Sequence, residues 1–195
     1  RPEMPQAAEQ DIIKGMYLFR KGQNSDANPA APRVQLLGSG TILREVIAAA
    51  DLLKREWGVD ADLWGCPSFN ELAREGHDLA RWNMLNPSKK SRLCHVENCL
   101  NDTTGPVIAA SDYVRLYAEQ IRPFIPRRYV TLGTDGFGRS DTREALRHFF
   151  EVDRRWVTVT ALKALADEGA IDRSKVAEAI LKYGIDINKP NPMTV

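Results

Sequence analysis

Apolar residues recur along this chain at two spacings that alternate. From Arg33 a short apolar run, VQLL at 34–37, is followed by Gly38, Ser39 and Gly40. Ile42, Val46, Ala49, Ala50 and Leu53 then fall on one face of a 3.6-residue period until Gly58. The spacing predicts a strand, a glycine turn and a helix. The unit recurs: ADLWG at 61–65 predicts a strand, and Ser68 with Glu71 three residues later carries the capping-box signature of a helix start. Gly76 is expected to interrupt that helix, with a second helical piece running from Asp78, Leu79 and Trp82 on one side, until Pro87. NPSKKSR at 86–92 reads as a loop and LCHV at 93–96 as a short strand. VIAAS at 107–111 predicts a strand leading through Asp112 into a helix bearing Val114, Tyr117, Ala118 and Ile121, which Pro123 and Pro126 end. YVTLG at 129–133 is the next strand. Three helical runs follow, the middle one with Val159, Leu162, Leu165 and Ala166, the last with Val176, Ala179, Ile180 and Tyr183 and closed by Gly184.

Apolar strands alternating with amphipathic helices imply an α/β fold, a three-layer α/β/α sandwich around a mostly parallel sheet, because parallel neighbours need helical crossovers. Residues 33–195 are expected to form that domain. Residues 1–32 are expected to be a leading linker, with GMYLF at 15–19 as a short edge strand and KGQNSDANPAAP at 21–32 as a surface loop. At 195 residues and 43% hydrophobic content, one buried core is affordable. The 27 basic and 26 acidic side chains nearly cancel, so no global field draws the protein to nucleic acid or to an anionic membrane. No run reaches eighteen apolar residues and the N-terminal segment lacks a signal-peptide layout, so a cytoplasmic location is expected.

The three cysteines are expected to be reduced thiols. Cys94 and Cys99 flank His95, but Cys66 stands far away and only one closely spaced ligand pair exists, whereas a tetrahedral zinc site typically uses two. Cys94 beside His95 suggests a nucleophile and its base; on the expected strand, adjacent side chains would point to opposite faces. His77, His95 and His148 are widely separated and no serine sits in a nucleophile-elbow pattern, so no catalytic residue is assigned.

Two glycine turns remain as ligand candidates. Gly38, Ser39, Gly40 and Thr41, between a strand and a helix, form a candidate anion site. They match only the first two glycines of a dinucleotide fingerprint, since Leu43 stands where the third belongs and Asp62 lies near the start of the next strand rather than its end. The second turn, GTDGFGRSDTRE at 133–144, needs no ligand, because Asp141 with Glu144 can cap the following helix. Its polar and aromatic tip makes Asp135, Phe137, Arg139, Ser140 and Arg143 a candidate interface. Asp135 and Gly136 also resemble half of the thiamine diphosphate signature. The next asparagine after Asn101 is however Asn188, beyond the last helix, so no magnesium and diphosphate site is expected here.

The runs VQLLGSGTILREV, SFNELAREG, RWNMLNP, SDYVRLYAEQIRPFIP and above all LGTDGFGRSDTREALRHFFEVD resemble the C-terminal region of the homodimeric bacterial pyruvate dehydrogenase family. The turn formed by Asp135, Phe137, Gly138 and Ser140 is similar, more distantly, to the transketolase C-terminal domain. The resemblance implies a transketolase C-terminal-domain-like fold and a place in a longer polypeptide. That polypeptide would decarboxylate pyruvate on thiamine diphosphate and magnesium and reductively acetylate a lipoyl group of an acyltransferase component. It implies as partners the rest of the polypeptide, a second subunit and that acyltransferase, with catalysis and cofactor held outside this chain. The segments WGCPSF and RLCHVENCL, which hold Cys66, Cys94, His95 and Cys99, depart from the family pattern.

Overall fold

The computed structural model describes residues 8–22 and 31–195. Five strands, β1 (Tyr17–Arg20), β2 (Arg33–Gly38), β3 (Asp60–Gly65), β4 (Val107–Ala110) and β5 (Tyr129–Leu132), form one sheet in the order β1-β3-β2-β4-β5. All neighbours are parallel except β1, which runs antiparallel to β3 with Tyr17 opposite Gly65. Of the stretch expected as a leading linker, 8–22 carry α1 (Glu9–Ile13) and β1; residues 1–7 and 23–30, with most of the expected surface loop, lie outside the described residues.

Helices cover both faces. On one side α2 (Leu43–Trp57), α7 (Arg154–Asp167) and α8 (Ser174–Lys182) pack Val46, Leu53, Leu162, Leu165 and Val176 against Val34, Leu36 and Leu63 of the sheet. On the other, α3 (Phe69–Leu85), α4 (His95–Leu100) and α5 (Leu116–Glu119) pack Leu72, Val96, Leu100 and Ala118 against Leu37, Trp64 and Val107. Alternation along β2 sends Val34 and Leu36 to the first core and Leu37 to the second, as strand geometry requires. Gln35 is the polar residue in that series. It is fully buried and satisfied, donating to Asp62 Oδ2 at 2.8 Å and accepting from the Trp64 indole at 2.8 Å. Asp62 also accepts from the Gly22 backbone and from Arg33, so its acid completes a buried network at the amino ends of β2 and β3.

Four local expectations are corrected. Gly76 does not break the helix: α3 runs unbroken through it, started by the Ser68 hydroxyl, which accepts from Glu71 N at 3.1 Å. The glycine is there for packing, since a Cβ would lie 2.6 Å from Cζ of Phe124, a ring 48 residues away in sequence. LCHV is not a strand. Cys94 is the N-cap of α4, where Glu97 reaches back to accept from the Cys94 amide at 2.7 Å. The helix after β4 shrinks to the single turn α5, because the Asp135 carboxylate takes the Arg115 amide and holds 111–115 as a loop. Finally, α6 (Arg143–Phe149) is capped by Thr142, whose hydroxyl accepts from Ala145 N at 3.3 Å; Asp141 instead accepts from Thr142 N.

Strand order and register fix where the loops converge. Gly38 pairs with Gly65 on one side and Ala110 on the other, and Ala110 pairs with Leu132. The chain leaves β2 toward β3 and later returns to its opposite side as β4, so the turns after β2 and β4 diverge to opposite layers. The crevice at such a switch point, at the carboxyl ends of the strands, is where α/β sheets bind ligands.

Candidate functional site

An open cavity of about 570 Å³ occupies that crevice. Ile42, Leu146, Phe150 and Val152 form its apolar part, and Thr41, Asp112, Thr134, Arg139, Arg143 and Arg147 supply most of the polar groups. The loops after β2, β4 and β5 all contribute, and α6 forms one wall.

The turn at 38–41 is not arranged for an anion. Its Ser39 amide already donates to the Ala110 carbonyl and the Ile42 amide to the Ser39 carbonyl. The Asp112 carboxylate occupies the mouth of the turn, accepting from the Thr41 hydroxyl at 3.1 Å, and a Cβ on Gly40 would lie 3.1 Å from the same carboxylate. Gly40 has φ +56, which explains a glycine there. A Cβ on Gly38 would lie 2.9 Å from Leu43 Cα, so this glycine, and not the missing third of a dinucleotide fingerprint, provides the close approach of strand and helix.

The five residues picked from the second turn separate in space. Asp135 points inward: its carboxylate takes both the Arg115 guanidinium and the Arg115 amide. Arg115 Nη2 reaches on to the Met193 sulfur at 2.7 Å, and a Cβ on Gly136, at φ +98, would lie 3.1 Å from the Pro192 carbonyl carbon. The C-terminal 3₁₀ turn, Pro192–Thr194, therefore braces this corner. Phe137 points outward and is 81% exposed. Arg139 and Arg143 line the cavity, and Ser140 is exposed beside them.

One buried charge went unread in the sequence. Glu45, 5% exposed on α2, accepts from Arg147 Nη1 at 2.9 Å, from Arg154 Nε at 2.9 Å and from the Arg154 amide at 3.1 Å. Burial alone would raise its carboxyl pKa; the Arg154 hydrogen bonds and the charges of Arg154 and Arg147 outweigh burial and hold it below the ordinary carboxylate value. A signal was present, since Glu45 falls three residues after Ile42 and four before Ala49 on the apolar stripe.

The thiols and imidazoles assemble no reactive group. Burial pushes the Cys66 thiol up, the Cys94 thiol up to about 11 and the Cys99 thiol up to about 12, which leaves all three protonated at neutral pH. His95 Nε2 lies 2.8 Å from the Met16 carbonyl oxygen and 3.5 Å from Cys99 Sγ, which fastens α4 to the segment before β1. His77 packs edge-on to Phe124, and His148 pairs with the α7 cap Asp153 at 3.1 Å. Among the described residues no group of three or more His, Cys, Asp or Glu could hold a metal ion, and no helix is long and apolar enough to cross a membrane.

The family described as "Transketolase-like TK C-terminal domain" matches residues 15–153. The chain is 73% identical over 194 residues to the pyruvate dehydrogenase E1 component of Cupriavidus necator, covering 100% of this chain and 21% of that protein. It is 58% identical to the protein of that name from Pseudomonas aeruginosa, with 99% and 22% covered, and 48% identical to that of Escherichia coli K12, with 98% and 21% covered. The chain thus spans about a fifth of the length of these relatives, in their C-terminal part. Among solved structures, transketolases from Pichia stipitis and Campylobacter jejuni share the fold, with TM-scores of 0.55 and 0.51, 16% identity each, and 88% and 78% of this chain covered against 21% and 19% of theirs.

Proposed function

The chain belongs to the family of transketolase-like C-terminal domains, and from that premise we propose that it serves as the non-catalytic C-terminal domain of a pyruvate dehydrogenase E1 component. The carrying observation is the 73% identity that extends over the whole chain yet covers only 21% of the relative. In the longer polypeptide, bound thiamine diphosphate supplies the carbanion chemistry of pyruvate decarboxylation, and the acetyl group passes to a lipoyl-bearing acyltransferase in the cytoplasm. The residues of this chain do not fit that cofactor. Asp135 is committed to Arg115, Asn188 lies exposed beyond α8, and hard cations need several oxygen ligands in one small volume. Calorimetry on the 195-residue chain is expected to give no saturable heat with thiamine diphosphate and magnesium, while the longer polypeptide does. Micromolar binding by the short chain would overturn the assignment.

The domain's role is to complete a dimer, with residues 133–143 as the contact. Phe137 supports this, because an aromatic ring held outward on a corner braced by Arg115, Asp135 and the C-terminal turn is a preorganised anchor. Phe137→Ala in the longer polypeptide should raise the subunit dissociation constant about thirtyfold, since truncating an aromatic anchor removes roughly 2 kcal/mol. Sedimentation showing an unaltered dimer would place the interface elsewhere.

A further inference from the structure

We propose that the cavity at the carboxyl ends of β2, β4 and β5 binds a small molecule through a carboxylate or phosphate held by Arg139 and Arg143. The charged groups around it are unevenly provided for. Asp112 accepts from Thr41, Asp141 accepts from the Thr142 amide, and Arg147 is paired with Glu45. The Arg143 side chain has neither a hydrogen bond nor an ion pair among the described residues, and the Arg139 side chain has only a ring contact, its guanidinium lying 4.6 Å from the Phe149 centroid. Two guanidinium forks therefore face a cavity with their donors unspent. Such forks match the geometry of planar carboxylates and of phosphates.

The surroundings are built rather than incidental. Glu45 ties Arg147 to Arg154 and so fixes α6, whose first residue is Arg143, against α2 and α7. Phe149, on which Arg139 rests, is held from a second direction by Lys189 at 5.2 Å, and Lys189 is itself paired with Glu151 at 3.0 Å. Ile42, Leu146 and Phe150 offer apolar surface for a short carbon skeleton, and Thr134, whose hydroxyl donates to the Asp112 carbonyl at 2.8 Å, completes the lining. A cavity of about 570 Å³ is within the size range of small-molecule sites, and its place at the switch point is where α/β sheets put them. Phe137, the ring proposed as the dimer anchor, is not part of the lining, although Arg139 and Arg143 belong to the same 133–143 segment.

The test is a titration of the ¹⁵N-labelled 195-residue chain, followed on the arginine Nε–H signals, with inorganic phosphate in one arm and citrate in the other at ionic strength fixed with sodium chloride. Both anions are expected to shift the Arg139 and Arg143 signals saturably, at about millimolar affinity for such bare probes. The tighter of the two identifies the ligand as a phosphate or as a carboxylate compound. Arg143→Gln and Arg139→Gln, exposed changes checked for folding by amide dispersion, should each weaken binding about tenfold, the worth of one charge-assisted hydrogen bond pair. Phe137→Ala should leave it unchanged. Shifts that never saturate, that persist in the Arg139→Gln/Arg143→Gln double variant, or that sodium chloride alone reproduces would overturn the proposal.

Discussion

Replacing Gly105 by alanine is expected to destabilise the chain by roughly 2–5 kcal/mol, the largest loss from adding a single methyl group. Two effects add. Gly105 has φ +82, a left-handed conformation that costs an L side chain about 1–2 kcal/mol. A Cβ would also be driven into the Arg33 carbonyl, 2.7 Å from its carbon, and backbone cannot rotate aside as a side chain can, which adds roughly 1–3 kcal/mol. The loop is tight because Pro106 must present its carbonyl to Gln35 N at 2.9 Å, the bond that starts β4 beside β2. Gly58 is the internal control: it has φ +64 and nothing within 4 Å of its would-be Cβ. Gly58→Ala should therefore cost only the conformational part, about 1–2 kcal/mol. In thermal melts the difference corresponds to roughly 2–12 °C for a domain of this size. Equal melting shifts for the two variants would mean that the approach of the 105–106 loop to β2 is not what requires glycine.

These two glycines also mark how far the sequence can be read. Gly58 was legible because its reason is local: an apolar period stops and a left-handed cap follows. The same held for the Ser68 cap of α3 and for the strand, turn and helix from Arg33 to Trp57, where periodicity and punctuation agree. Gly76 misled, because a glycine inside a helical period reads locally as a break while its cause, the Phe124 ring, arrives from another layer. LCHV misled for a related reason. Four residues cannot show a period, and the signal that settled the matter, Glu97 three residues after Cys94, was paired with a residue not counted among good caps.

The site was legible in its pieces and not in its assembly. Both glycine turns and the five residues of the second turn are candidates that the strand, turn and helix pattern offers on its own. Their division into Asp135 inward, Phe137 outward and Arg139 with Arg143 into a cavity depends on Arg115 and Met193, which are distant in sequence. The crevice itself follows from the strand order, and order is set by packing across the sheet rather than by any one segment.

Glu45→Ala is expected to cost about 2–4 kcal/mol at neutral pH, because it removes the shared acceptor of two guanidinium groups. Breaking one partner out of a buried ion pair typically costs about 3–5 kcal/mol, chiefly through the charge left behind. Here Arg154, 51% exposed along its side chain, can turn to water, whereas Arg147, at 17%, cannot do so fully, which lowers the expected loss. The pH dependence has a definite sign. The folded-state pKa of Glu45 is depressed, so its contribution is complete above the ordinary carboxylate value of 4.5 and is lost as pH falls through the folded value. Glu45→Gln, which keeps the shape without the charge, should accordingly differ from the parent most at neutral pH and converge with it in acid. A stability gap that stays constant down through the carboxylate range would show that packing, not charge, is what Glu45 provides. Because Arg147 is one wall of the cavity, the same variant should also loosen α6. With Glu45 neutralised, Arg147 becomes a further unpaired cation at the cavity, so phosphate or citrate binding is expected to tighten in Glu45→Gln even though Glu45 itself is not among the residues lining that cavity.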